Sequence, residues 1–321
     1  MKLMAKGLIL SLLVATGLMA AESAAPAAAA TEANHVRVFT SDNADGKITP
    51  KTIQEAFEKA GFMVEANNDM LAPFKRDFNT TYHDVYNLMV LWKKDTVLAL
   101  AEKYPDIGLF SPMSMSIYTK KGEKTISVSS LTAAAMGKMM DIPADNEALV
   151  ALEKSIEDAL KAAMPNGKFE VMPYTMKAPA GPLVTRKTFE LSDDDWESAK
   201  DDLEMAFDGE LAPNGFVSPA FVDLNYDLDE HEKEWYTFYD VYSICKIKVI
   251  YTVSQKHPEA GAFAPCSMYL YMKPGEKTVH MAFPSVHKWI SALNIEDQES
   301  IDALMDAESK FEAILAKITK K

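Results

Sequence analysis

The sequence predicts an α+β chain made of one domain present in two tandem copies, and three observations predict it. First, a shift of 153 residues lays Gly108–Thr125, GLFSPMSMSIYTKKGEKT, on Gly261–Thr278, GAFAPCSMYLYMKPGEKT, with 11 of 18 positions identical. Unrelated sequence of ordinary composition would give about one. Second, each copy opens near a capped amphipathic helix and closes on a long one. Third, the stretches between are rich in β-branched and aromatic residues and do not alternate strictly with helices. A mainly antiparallel sheet packed on one side by a long helix is therefore expected in each copy.

The repeat extends upstream, with Lys103 and Pro105 falling on Lys256 and Pro258 and Gly61-Phe62 meeting Gly215-Phe216. Asp84-Val85-Tyr86 matches Asp240-Val241-Tyr242 if about three residues are dropped between blocks. In copy one, Thr49 caps a helix with Pro50 at its first position. Ile53, Ala56, Phe57 and Ala60 form its apolar stripe, and Gly61 stops it. In copy two, Ser192 and Asp195 make a capping-box-like start, and Trp196, Ala199, Leu203 and Phe207 carry the buried face. Asp193–Asp195 lie at the positive end of that helix, where carboxylates help. Phe216–Leu224 and Val241–Val253 read as strands. Hairpins are expected at Met115–Thr119 with Thr125–Val128, and at Met268–Met272 with Thr278–Ala282. The closing helices are Asp145–Ala163, with Leu149, Leu152, Ile156 and Leu160 inward, and Glu296–Ile318, with Ile301, Leu304, Phe311 and Leu315 inward. Residues 164–182 hold four prolines and two glycines and read as a linker.

The organisation that follows is a leader over 1–21, an Ala-rich segment over 22–35, copy one over 36–164, a linker over 165–182 and copy two over 183–321. Lys2 and Lys6, the apolar run from Gly7 to Met19 and the small exit residues Ala20 and Ala21 form a secretory pattern. The run is too short to span a bilayer. The expected location is the periplasm or the exterior, with no membrane anchor in the mature chain. A net charge of −14 repels phosphate backbones and argues against nucleic-acid partners.

Few residues point to chemistry. Ser41–Thr52 mimics a calcium loop through Asn43, Asp45 and Gly46, but Thr52 stands where the bidentate Glu belongs and Pro50 interrupts it; a turn into a capped helix is expected. Met113, Met115, Met136, Met139 and Met140 form the densest of the 19 methionines and read as packing. No histidine pair has zinc spacing, no phosphate-binding glycine loop or nucleophile elbow is present, and no metal site is expected. Asp84, Tyr86, Asp240 and Tyr242 recur in both copies and are candidates for binding a ligand or holding a turn. Asn79, in Asp77-Phe78-Asn79-Thr80-Thr81, matches an extended glycosylation acceptor. Cys245 and Cys266 fall on expected neighbouring strands, within reach of a disulfide if their side chains share a face. They could equally be small core residues, a redox pair or soft-metal ligands.

The helix-Gly-Phe at Gly61-Phe62, the Pro105–Gly108 approach and the Pro265-Cys266 block resemble the bacterial family called domain of unknown function 302. The resemblance implies a β-α-β-sheet-α unit similar to the TATA-binding-protein-like, helix-grip group, and it brings no established activity. It further implies a paired role for Cys245 and Cys266, with Ser267 replacing the family's Asn. Met89 and Met113 are then the corresponding residues of copy one, where thiol chemistry is lost. The expected function is an exported, non-catalytic ligand-binding or accessory envelope protein, its partner a small molecule or another envelope protein. The alternative is a thiol-dependent redox or soft-metal protein, copper being the metal such ligands suit; no other cofactor is expected. A third possibility is a purely structural envelope component.

Overall fold

The computed structural model describes residues 34–191 and 195–319. The expected leader, and the Ala-rich segment up to residue 33, lie outside them. The first half runs β1 (Val36–Asp42), α1 (Pro50–Lys59), β2 (Met63–Asp69), α2 (Leu71–Phe78), β3 (His83–Trp92), α3 (Lys94–Leu100), β4 (Met113–Lys120), β5 (Thr125–Leu131), α4 (Ala133–Met140) and α5 (Glu147–Ala163). After β6 (Lys168–Phe169) the second half runs β7 (Val184–Glu190), α6 (Trp196–Leu211), β8 (Val217–Asp223), α7 (Leu224–Asp229), β9 (Phe238–Cys245), α8 (Ile247–Ser254), β10 (Cys266–Met272), β11 (Thr278–Pro284), α9 (Val286–Ala292) and α10 (Gln298–Ile318). The described residues form two antiparallel sheets, ordered β2-β3-β4-β5-β1-β6 and β8-β9-β10-β11-β7. The α+β class is thus as the sequence predicts. None of the described helices is long and apolar enough to cross a membrane.

Local chemistry sets the element ends. Thr49 and Thr52 exchange hydrogen bonds in a capping box that starts α1, with Pro50 in its first turn. The calcium-like loop before it closes on itself, Asn43 Oδ1 accepting from Ile48 N at 2.9 Å. After the first helix of each half the chain turns through Gly61 (φ 82°) and Gly215 (φ 77°), left-handed conformations in which a Cβ would be strained. Leu149, Leu152, Ile156 and Leu160 on α5, and Leu304, Phe311 and Leu315 on α10, are buried.

Four expectations are corrected. The cap of α6 is Asp195, whose carboxylate accepts from Ser198 N, while Ser192 lies outside the described residues. The strand expected over Val241–Val253 ends at Cys245, and Ile247–Ser254 is helix α8. Its β-branched run suits a strand locally, but Val249, Ile250 and Val253 recur at helical spacing and all three are buried; tertiary packing decided. The linker is not simply a connector, since Lys168 and Phe169 pair with Thr40 and Phe39 as a sixth strand. Finally, no residues are dropped between the matched blocks. Tyr86 pairs with Tyr118 as Tyr239 pairs with Tyr271, and Leu91 with Met113 as Ile244 with Cys266, so the offset is 153 throughout β3 and β9. Tyr86 therefore corresponds to Tyr239, Met89 to Tyr242 and Trp92 to Cys245; the likeness of two Asp-Val-Tyr triplets misaligned them.

That register exposes a reciprocal junction between the halves. Tyr86 Oη donates to Pro258 O at 3.1 Å, and Tyr239 Oη donates to Pro105 O. Ser114 Oγ donates to Pro265 O at 2.7 Å, and Ser267 Oγ donates to Pro112 O. Each contact is repeated by its 153-residue counterpart, the pattern of a two-fold dimer in which the same patch serves both partners. All four side chains are buried. The halves thus share a buried junction, and the described residues, 34–191 and 195–319, belong to one compact unit. Residues 183–321 expressed alone should dimerise through the uncovered tyrosine face, because burial of that face and its hydrogen bonds favours association. Sedimentation at rising concentration would check this; a monodisperse, cooperatively unfolding monomer would show that the junction is dispensable.

Candidate functional site

In the second half an apolar cavity of about 70 Å³ lies between the β9–β10–β11 face and helices α8, α9 and α10. Its walls include Phe216, Ile244, Met268, Trp289 and Phe311, and both cysteines border it. Strand alternation builds this wall. Met268 stands opposite Tyr242 and Cys266 opposite Ile244, so these four side chains leave the sheet on the helix-covered face. Aromatic rings brace the far side: Phe311 meets Phe283 with centroids 4.9 Å apart and Phe216 at 5.6 Å, while Phe263 stacks on Trp289 at 5.7 Å. At the rim Glu308 accepts from Val286 N at 2.7 Å, capping α9, and Lys246 pairs with Asp306 at 3.0 Å. Both rim charges are thereby engaged.

The thiols are free. Because Cys266 is opposite Ile244, Cys245 is one residue out of step and starts from the other alternation of the sheet, meeting the cavity only at the strand's end. Cys266 Sγ donates to Phe263 O at 3.1 Å. Burial pushes the Cys245 thiol up to about 12. Burial does the same to Cys266, again to about 12, with smaller contributions from Cys245 and Glu308. Both are protonated at neutral pH, and it is the thiolate that attacks. In the first half the corresponding residues are Trp92 and Met113, both buried.

The structure does not gather the other candidates around this cavity. Asp84 is exposed and its Oδ2 accepts from Gly122 N at 2.8 Å, holding the β4–β5 turn. Tyr86 belongs to the junction. Asp240, 2% exposed, pairs with Lys200 of α6 at 2.8 Å, and Tyr242 donates to Glu204 Oε1 at 2.5 Å. Burial raises Asp240 to about 6 against the opposing pull of Lys200. Asn79 is an exposed left-handed residue ending α2. Met113, Met115, Met136, Met139 and Met140 are core residues. Among the described residues no group of three or more His, Cys, Asp or Glu side chains could hold a metal ion.

Sequence reasoning missed a second hollow. It measures about 340 Å³, and Lys103, Tyr104, Asp106, Arg186, Tyr271 and His280 line it. Arg186 pairs with Asp106, whose other oxygen accepts from Tyr269 Oη at 2.5 Å. His280 stacks on Tyr271 with centroids 4.8 Å apart. These residues come from both halves, so no linear spacing announces them.

Residues 191–318 match the model of a family described as domain of unknown function DUF302. The chain is also similar to the crystal structure of an uncharacterized conserved DUF302 protein from Bacillus stearothermophilus. The two are 20% identical, the likeness covers 42% of this chain and 98% of that one, and the TM-score is 0.33. No curated protein matches the chain. The match to this family falls in the second half, over residues 191–318.

Proposed function

We propose that this chain is an exported, non-catalytic binding protein, formed by tandem duplication, that holds a small apolar ligand in the cavity of its second half. The observation that carries the reading is the cavity's lining: aromatic and aliphatic walls, two protonated thiols, and rim charges already engaged. Such a surface binds without supplying a base or nucleophile. Its volume is about half that of an engineered cavity of roughly 150 Å³ that takes benzene. The ligand is accordingly a molecule of a few heavy atoms or the tip of an alkyl chain. Pair-based redox chemistry is disfavoured by the register of the two cysteines and by their raised thiol pKa values.

Xenon is a suitable probe. Under xenon pressure the Met268 methyl resonance should shift and saturate, and Ala307→Leu, which fills the cavity from α10, should abolish the shift. A Met268 signal that ignores xenon would overturn the reading. A second reading rests on Cys245, Cys266 and Met268 bordering one cavity, since thiolate and thioether suit soft monovalent metals. It requires stoichiometric Ag(I) uptake that releases protons and is lost in Cys266→Ser; unchanged uptake in that variant would end it.

A further inference from the structure

The two halves differ most at one sheet edge. The register Val38↔Ser129 and Arg186↔Ala282 sets β1 and β7 in equivalent places, with Val38 matching Arg186 and Thr40 matching Thr188. The outer edge of β1 is taken by β6, where Thr40 pairs with Lys168 and Glu170 N donates to Val38 O at 2.9 Å. The same segment then carries Tyr174 over the junction. Its hydroxyl donates to Glu259 Oε1 at 2.9 Å, and its ring meets His257 edge-on with centroids 6.1 Å apart. Burial, with Glu259 second, holds the Tyr174 phenol above its ordinary range, so it remains a donor.

Around β7 the equivalent place is open. Asp106 corresponds to Glu259, Tyr104 to His257 and Tyr271 to Tyr118, and all three line the 340 Å³ hollow. Among the described residues β11 is the one strand paired with β7. Leu191 N donates to Lys277 O and Ser285 N donates to Leu183 O, so odd-numbered backbone groups face inward. Arg186 and Thr188 then turn their N–H and C=O groups outward, as Val38 and Thr40 do toward β6. A free row of this kind is a template for another strand.

We infer that the β7 edge and the adjoining hollow form a docking site for an extended segment of a partner polypeptide. That segment pairs with Arg186 and Thr188 and places a tyrosine, about five residues further on, against Asp106 and Tyr104. The chain's own segment Lys168–Tyr174 shows the chemistry such a guest needs, because it fills the equivalent site of the first half. Both Asp106 oxygens already accept one hydrogen bond each, and each retains a lone pair for a phenol. The inference is independent of the apolar cavity.

The test titrates a fluorescein-labelled peptide of residues 165–176 with the full chain and reads anisotropy. Saturable binding below millimolar peptide is expected, at least tenfold weaker in Thr188→Pro, which deletes an outward N–H at an edge where proline is tolerated. The tethered segment 168–174 retains its own place on β1, having an effective concentration in the millimolar range. A peptide with Tyr174→Ala, and one with Glu170→Pro, should each bind at least fivefold more weakly. These two leave the protein intact and keep the test readable if Thr188→Pro fails to fold. No saturable binding, or binding indifferent to Thr188→Pro and to both peptide changes, overturns the proposal. So does a Thr188-sensitive dimer of the chain in sedimentation, which would assign the edge to a second copy. Displacement of the peptide by p-cresol at an equal concentration would assign the hollow to a free phenol instead.

Discussion

Gly261→Ala should cost about 3 kcal/mol of stability, read as a lower urea midpoint with an unchanged slope. A Cβ at this position would lie 2.4 Å from Ser116 Cβ, 2.8 Å from Leu88 Cδ2 and 3.0 Å from Ser116 Cα. Ser116 cannot step aside. It sits within β4, and its hydroxyl donates to Pro258 O at 2.8 Å and bonds Ser129 Oγ at 2.7 Å. The added methyl must separate the halves, and overpacking of a close-fitted core costs about 1–3 kcal/mol. Each junction hydrogen bond lost adds about 1 kcal/mol. Gly108→Ala should behave alike, its Cβ falling 2.6 Å from Tyr239 Oη and 2.9 Å from Tyr269 Cβ. The control is Gly209→Ala in α6, where nothing lies within 4 Å. There a gain of about 0.5–1 kcal/mol is expected from helix propensity and a less flexible unfolded chain. If Gly261→Ala matched the parent within about 0.5 kcal/mol, the size of a routine surface change, the junction would not be the close-packed contact described.

Two buried groups should pull stability in opposite directions as pH changes. Asp240 is raised to about 6, chiefly by burial. Between the ordinary carboxylate value and pH 6 the folded chain keeps a proton that the unfolded chain has released, so this group's contribution falls as pH rises. His83, 4% exposed on β3, is lowered to about 4 by burial and by Lys120 nearby. Between pH 4 and about 6.5 the unfolded chain holds the extra proton, so this contribution is lost as pH falls. Each amounts to roughly 3 kcal/mol over its window, and the two largely cancel in the parent. Urea unfolding from pH 4 to pH 7 should separate them. Relative to the parent, Asp240→Asn should gain stability as pH rises through 4 to 6, Lys200 keeping Glu204 at 2.8 Å. His83→Gln should gain relative to the parent as pH falls from 6.5 to 4. Parallel stability curves for all three proteins would show that neither group titrates in that range.

The sequence by itself determined the α+β class, the offset of 153 between Gly108–Thr125 and Gly261–Thr278, the helix cap at Thr49, the hairpins, the buried faces of α5 and α10, and a resemblance to the DUF302 family. These are local or periodic signals: a hydroxyl three residues before its partner, an apolar stripe at helical spacing, a glycine where the chain must turn left-handed. The calcium-like loop and the methionine clusters were legible for the same reason. Only the tertiary structure decided that Ile247–Ser254 is a helix, since its β-branched residues suit either conformation until buried neighbours choose. It likewise decided which tyrosines correspond, because backbone register, not the likeness of a triplet, sets what lies opposite what. The cavity walls come from β9, β10, β11, three helices and Phe216 before β8, and the hollow beside β7 draws residues from both halves. Contacts between residues 80 to 172 positions apart leave no period and no fixed spacing along the chain. They exist only once two sheets have packed and the junction hydroxyls of Tyr86, Ser114, Tyr239 and Ser267 have found their carbonyls, which is why the junction that unites the halves could not be read before the fold.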